Sequence, residues 1–116
     1  MVVTVLKRGD IIMLNFNPSS GYEQKGYRPA LVFSPEVFND KTPFVIVCPI
    51  TSKRKGNIFE VELSKDINSC GVDGAILVHH IKSVDIKSRQ RDYKIVGEAP
   101  KKCLQEVMNK LKPLLT

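Results

Sequence analysis

Phe44-Val45-Ile46-Val47-Cys48-Pro49-Ile50, a nearly continuous β-branched run in the middle of the chain, constrains the fold more than any other stretch. A run so short and so apolar suits a central strand with both faces covered. Pro49 has no N–H to give a ladder, so regular pairing is expected to stop there. Around it the chain repeats one theme, brief apolar runs bounded by turn residues. Ile11-Ile12-Met13-Leu14-Asn15-Phe16 reads as a first strand buried on both faces for most of its length, Asn17-Pro18-Ser19-Ser20-Gly21 breaks it, and Arg28 to Phe33 reads as a second. Ile58 to Leu63 alternates, with Phe59, Val61 and Leu63 on one face and Glu60 and Glu62 on the other, the pattern of an antiparallel strand with one wet face. After the turn pair Asp73-Gly74, Ala75 to Ile81 reads as another strand, and Tyr93 to Gly97 as the last.

Helical signals are fewer. Ser34-Pro35-Glu36 looks like an N-cap followed by proline at the first helical position, which predicts one turn of helix over Pro35 to Asn39. The charged stretch Asp85 to Arg91 admits a short helix. From Pro100 the period changes: Leu104, Val107, Met108 and Leu111 make an apolar stripe opposite Lys101, Lys102, Glu106 and Lys110, and Pro113 is expected to end that helix. Five or six short strands and one amphipathic helix predict an α+β, mainly β fold: a small, strongly curved antiparallel sheet or barrel with the C-terminal helix packed across it.

At 116 residues, without repeat or linker, residues 1–116 read as a single domain. No run approaches the ~18 apolar residues of a membrane span, and Met1-Val2-Val3-Thr4-Val5-Leu6-Lys7-Arg8 lacks a basic leader and a cleavage site, so a cytoplasmic protein with no membrane partner is expected. Cys48, Cys70 and Cys103 are odd in number and lack a Cys-x-x-Cys, which argues against a disulfide framework and a zinc site. Cys48 and Cys103 read as small buried hydrophobes. No His, Asp and Glu spacing suits a metal, so neither metal nor cofactor is expected. A net charge of +6 favours anionic partners.

The chemistry is expected where a glycine-bracketed polar loop, Gly21-Tyr22-Glu23-Gln24-Lys25-Gly26-Tyr27, runs into a strand at Arg28-Pro29. Loops in compact domains have a median of ~4–6 residues, and longer ones tend to be functional. If strands 28–33 and 44–50 pair antiparallel, this loop and the one starting at Thr51 emerge at the same end of the sheet. A guanidinium beside a hydroxyl, with backbone donors from Gly21 and Gly26, then forms a phosphate or oxyanion site. The bland reading is a surface ion pair and a capping threonine. Glu23 is either a general base or a counter-ion for Arg28. Lys53-Arg54-Lys55 either attracts phosphates or is simply solvated. Tyr22 and Tyr27 either stack unpaired bases or pack on their own loop. His79 and His80 are adjacent, so on a strand they point to opposite faces, one packing and the other at most facing the site.

Several spaced motifs carry a resemblance over nearly the whole chain. Arg8-Gly9-Asp10-Ile11, Asn17-Pro18, Gly21-Tyr22-Glu23-Gln24, Arg28-Pro29-Ala30-Leu31-Val32, Ser34-Pro35, Phe38-Asn39, Cys48-Pro49-Ile50-Thr51-Ser52 and Ile81-Lys82-Ser83-Val84-Asp85 are similar to the PemK/MazF family of toxin endoribonucleases. The resemblance implies an SH3-like β-barrel that forms a homodimer and cleaves single-stranded RNA, largely messenger RNA, without a metal. It also implies attack by a ribose 2′-hydroxyl that leaves a 2′,3′-cyclic phosphate and a 5′-hydroxyl, with Arg28 and Thr51 as the catalytic pair. Glu23 joins them as a third candidate, and Tyr22, Gln24, Lys25, Tyr27, Ser52, Lys53, Arg54 and His80 are the expected RNA contacts. The family's toxins are held inactive by a cognate antitoxin with an acidic, disordered tail, a partner that suits a basic chain. Two rivals stand beside this reading: a non-catalytic toxin that binds DNA gyrase, and a nucleic-acid-binding barrel without catalysis.

Overall fold

The computed structural model describes residues 5–16, 27–64, 71–87 and 92–116. Its centre is the apolar run of the middle of the chain, strand β3 (Phe44–Thr51). On one edge β3 pairs antiparallel with β2 (Tyr27–Val32), which pairs with β1 (Asp10–Asn15), which in turn pairs with β7 (Tyr93–Glu98). The other edge is shared. Its first half, Phe44 to Val47, takes β6 (Lys82–Asp85), and its end, Ile50 and Thr51, takes β5 (Gly74–Leu77), which carries β4 (Glu60–Leu63) beyond it. Pro49 falls in the handover between the two partners, and the strand therefore continues past it to Thr51 instead of losing its pairing there.

Side-chain alternation gives the sheet two cores, one on each face. On one face Ile11, Leu31, Phe33, Cys48, Ile50, Val61, Leu63, Ile76 and Val78 pack under helix α2 (Lys101–Leu115), which contributes Cys103, Val107 and Leu111. On the other, Ile12, Leu14, Ala30, Val32, Val45, Val47 and Val84 are closed over by Leu6, Phe16 and Ile86. Each such aliphatic side chain, fully buried, contributes about 1.5–3 kcal/mol. The sheet is mainly antiparallel, with one long helix across it, as expected. It is not closed into a barrel, because its path runs openly from β4 to β7. Val61 and Leu63 of β4 and Val96 of β7 meet the core that α2 covers, so a helix fills the gap that strand pairing would otherwise close.

Several local expectations change. Among the described residues the sheet has seven strands, and β6 was hidden because only Val84 of its four residues is buried. Asp85 ends that strand instead of starting a helix, and residues 88–91 of the expected helix lie outside the described residues. The strand expected over Ala75 to Ile81 stops at Leu77: the Val78 amide still pairs in register with the Phe59 carbonyl (3.1 Å), and Val78–His80 then close a 3-10 turn in which the Ile81 amide donates to the Val78 carbonyl (3.2 Å). Ser34 does not cap helix α1 (Glu36–Lys41), whose N-cap is Pro35; its buried hydroxyl donates to Asn39 Oδ1 and accepts the Ile46 amide (2.9 Å), tying α1 to β3. Pro113 lies inside α2. In the last turn a proline removes a single helical bond, and the Thr116 hydroxyl donates to the Lys112 carbonyl (3.0 Å) to hold that turn.

Arg8-Gly9-Asp10 is a structural joint. The Arg8 Nε donates to the Phe33 carbonyl (2.6 Å) and its guanidinium lies 5.0 Å over the Phe33 ring, Gly9 turns the chain at φ 103°, and Asp10 accepts the Lys7 amide (3.0 Å). Both Cys48 and Cys103 are buried, and burial pushes the Cys48 thiol up to about 12, which keeps it an inert core group. Cys70 lies outside the described residues.

Candidate active site

The β2–β3 register decides where the two expected catalytic residues stand. Val32 faces Val47, Leu31 faces Cys48 and Ala30 faces Pro49, where the pairing ends, and Arg28 and Thr51 each lie two residues beyond that last pair on their own strand. Both share the face of Ala30 and Pro49. β2 begins at Tyr27 and β3 ends at Thr51, which puts the pair at one end of the sheet, with Arg28 against Leu14 of β1 and Thr51 against Ala75 of β5. The Thr51 hydroxyl oxygen accepts the Lys53 amide (3.1 Å) and so has its proton to donate outward.

A groove of about 260 Å³ opens from Thr51 and is lined further by Lys53, Lys55, Asn57, Glu60, Leu77, His79 and His80. That is below the ~300 Å³ at which small-molecule pockets begin, room for one segment of a polymer. Its floor is a braced turn: the Glu60 carboxylate accepts the amides of Lys55 (3.2 Å) and Gly56 (3.2 Å), and Asn57 Oδ1 accepts the Phe59 amide (2.8 Å). Because Val78–His80 coil, His79 and His80 do not point to opposite faces; both are exposed, both line this groove, and their rings meet edge-on with centroids 4.5 Å apart. Partial burial, together with the neighbouring His79, Lys82 and Lys55, holds His80 below the ordinary histidine value of 6.5, so it is neutral at pH 7.

The remaining expected contacts divide. Lys53 lines the groove, and Ser52 is exposed beside it. Tyr27 neighbours Arg28 on β2 and so faces the opposite side of the strand; its hydroxyl donates to Asp92 (2.9 Å), which raises its pKa. Its ring does not share a wall with Arg28. Arg54 grips Glu62 through Nε (2.7 Å) and Nη2 (2.6 Å), and Nη2 also reaches Asp73 (2.9 Å). The guanidinium that was expected to hold RNA is thus already neutralised, and it anchors the turn that presents Lys53 and Lys55. Arg54→Ala is expected to weaken RNA binding while leaving the slope of log K against log salt nearly unchanged, where a lost phosphate contact would reduce it by about 0.7. Tyr22, Glu23, Gln24 and Lys25, with Gly21 and Gly26, lie outside the described residues. Asn57 and Glu60 were missed as groove residues, while Lys55, weighed as part of a basic cluster, and His79, weighed as one of two histidines of which one faces the site, both line the groove. Their signal is the asparagine two positions before Phe59, which folds the basic turn back toward the histidines.

Residues 7–115 match the family described as PemK-like, MazF-like toxin of type II toxin-antitoxin system. The endoribonuclease toxin MazF of Escherichia coli K12 is 41% identical over 81 residues, 70% of this chain and 69% of that protein. The endoribonuclease toxin ChpB of the same organism is 34% identical over 115 residues, 94% of this chain and 93% of its own length. The crystal structure of MazF from Deinococcus radiodurans superposes with a TM-score of 0.85 at 42% identity, covering 97% of this chain and 98% of that one. A match of this breadth runs through every element that positions Arg28 and Thr51, and the chain belongs to the PemK-like, MazF-like toxins of type II toxin-antitoxin systems.

Proposed function

We propose that this chain cuts single-stranded RNA, chiefly messenger RNA, by closing a ribose 2′-hydroxyl onto its neighbouring phosphate, with Arg28 and Thr51 stabilising the charge that builds there. As a member of its family it is an endoribonuclease toxin of a type II toxin-antitoxin system. The O2′–P bond forms as the P–O5′ bond breaks, leaving a 2′,3′-cyclic phosphate and a 5′-hydroxyl. The five-coordinate phosphorus carries more negative charge on its non-bridging oxygens than the starting diester. A guanidinium donates two parallel bonds to such oxygens and keeps its own protons, so Arg28 acts as an electrostatic clamp and not as a base. Thr51 donates its hydroxyl proton to the same group. The observation that supports this reading is the antiparallel β2–β3 pairing, which ends two residues short of both Arg28 and Thr51, with Thr51 lining a groove that also holds Lys53 and Lys55.

The same reading assigns the expected partners. Solved structures of MazE-MazF from Deinococcus radiodurans resemble this chain with a TM-score of 0.81 at 42% identity. By analogy the chain pairs with a cognate antitoxin whose acidic, disordered tail meets its +6 charge, and it works as a cytoplasmic homodimer. Among the described residues no helix is long and apolar enough to cross a membrane. Purified protein is expected to cleave a single-stranded RNA in excess EDTA and to leave 5′-hydroxyl ends, read by end-specific ligation of the fragments. Fragments with 5′-phosphates, or cutting that EDTA stops and added magnesium restores, would sink this mechanism.

A further inference from the structure

Closing the 2′-hydroxyl onto phosphorus requires a group to take its proton, and neither Arg28 nor Thr51 can. The guanidinium holds its protons, and the Thr51 oxygen already accepts the Lys53 amide. Among the described residues that line the groove with Thr51, the proton acceptors are Glu60, His79 and His80. The Glu60 carboxylate is occupied by the amides of Lys55 and Gly56. His79 lies between Phe59, with ring centroids 5.9 Å apart, and the edge-on ring of His80. The geometry points to His80 as the general base of the cleavage, the catalytic residue that receives the proton of the attacking 2′-hydroxyl. This rests on the ribonuclease reading above.

The step balances without a further reactant. An imidazole nitrogen of His80 takes the O2′ proton as the O2′–P bond forms and P–O5′ breaks. O5′ takes a proton from a water, and the hydroxide so formed is neutralised by the imidazolium's proton. The surroundings keep the imidazole ready to accept. Lys53 and Lys55 come from the turn after β3, Glu60 from the start of β4, and Lys82 from β6, where its ammonium sits 4.8 Å over the Phe16 ring. Helix α2, which packs against the same 3-10 turn, brings Lys110, whose Nζ donates to the Ile58 carbonyl. Partial burial first, and then the nearby charges of Lys82 and Lys55, keep His80 neutral down to a pH below 6.5. A base works in its neutral form, so activity holds above that value and falls as pH drops through it.

The test is single-turnover cleavage of a short RNA across the acid and neutral range, with folding checked by thermal melts. The wild-type rate is expected to show an acid limb below pH 6.5. His80→Asn is expected to be about 10²-fold slower at neutral pH, with the limb gone, and added imidazole should restore part of the rate to His80→Gly. Lys55→Gln should move the limb to higher pH by removing a cation that opposes protonation. Wild-type speed with an intact limb in folded His80→Asn overturns this assignment alone. A wild-type protein that cuts no RNA overturns the ribonuclease reading and this with it.

Discussion

Arg28→Ala and Thr51→Ala are each expected to slow RNA cleavage by about 10²–10³-fold while the protein keeps its thermal midpoint. Both side chains sit beyond the last core pair of the β2–β3 ladder, Arg28 exposed and Thr51 half-buried, so truncating them empties no core space. What is lost is a donor aimed at an oxygen whose charge peaks in the transition state, and such a loss falls on the chemical step. Arg28→Lys should recover part of the rate, because it restores the charge without the planar fork. Combining the two alanine changes should cost less than the product of the single losses, since both donors serve one phosphate. Single-turnover rates at saturating enzyme separate this from weakened binding. A folded Arg28→Ala protein that cuts at the wild-type rate would remove the proposed role.

How much of this was legible depends on whether the signal was local. The run 44–50 announced a central strand because β-branched residues suit a pleated, covered surface, and the stripe 104–111 announced a helix because its period matches 3.6. The antiparallel pairing of strands 28–33 and 44–50, on which the sequence made the neighbourhood of Arg28 and Thr51 conditional, is present in the structure. Non-local partners defeated the rest. Lys82–Asp85 has no apolar pattern of its own and becomes a strand because Phe44–Val47 offers an edge to pair with. Val78-His79-His80 has strand composition, yet the Ile81 amide turns back to the Val78 carbonyl, and the coil so closed brings both histidines to one groove. Arg54 looks available in sequence because its two carboxylates, Glu62 and Asp73, come from other segments.

Gly74→Ala is expected to destabilise the protein by about 3 kcal/mol and to lower cleavage in the fraction that still folds. Gly74 opens β5 beneath the backbone of Thr51: a Cβ added there would lie 2.3 Å from the Thr51 carbonyl oxygen and 2.9 Å from its carbon, with Ile50 Cγ2 at 3.2 Å. Two of those three atoms are main chain, so no rotamer change relieves the overlap. Relief requires β5 to part from β3, and Thr51 is held by its pairing with Ala75 on that strand. Moving Thr51 by an ångström would misaim its hydroxyl, and misplacement on that scale costs a rate on the order of 10²-fold. Urea titration gives the stability change, and single-turnover rates well below the unfolding midpoint give the activity of the folded form. Wild-type rates from a destabilised but folded Gly74→Ala would show that the site tolerates a displaced Thr51, and would break the link between this close strand contact and the chemistry.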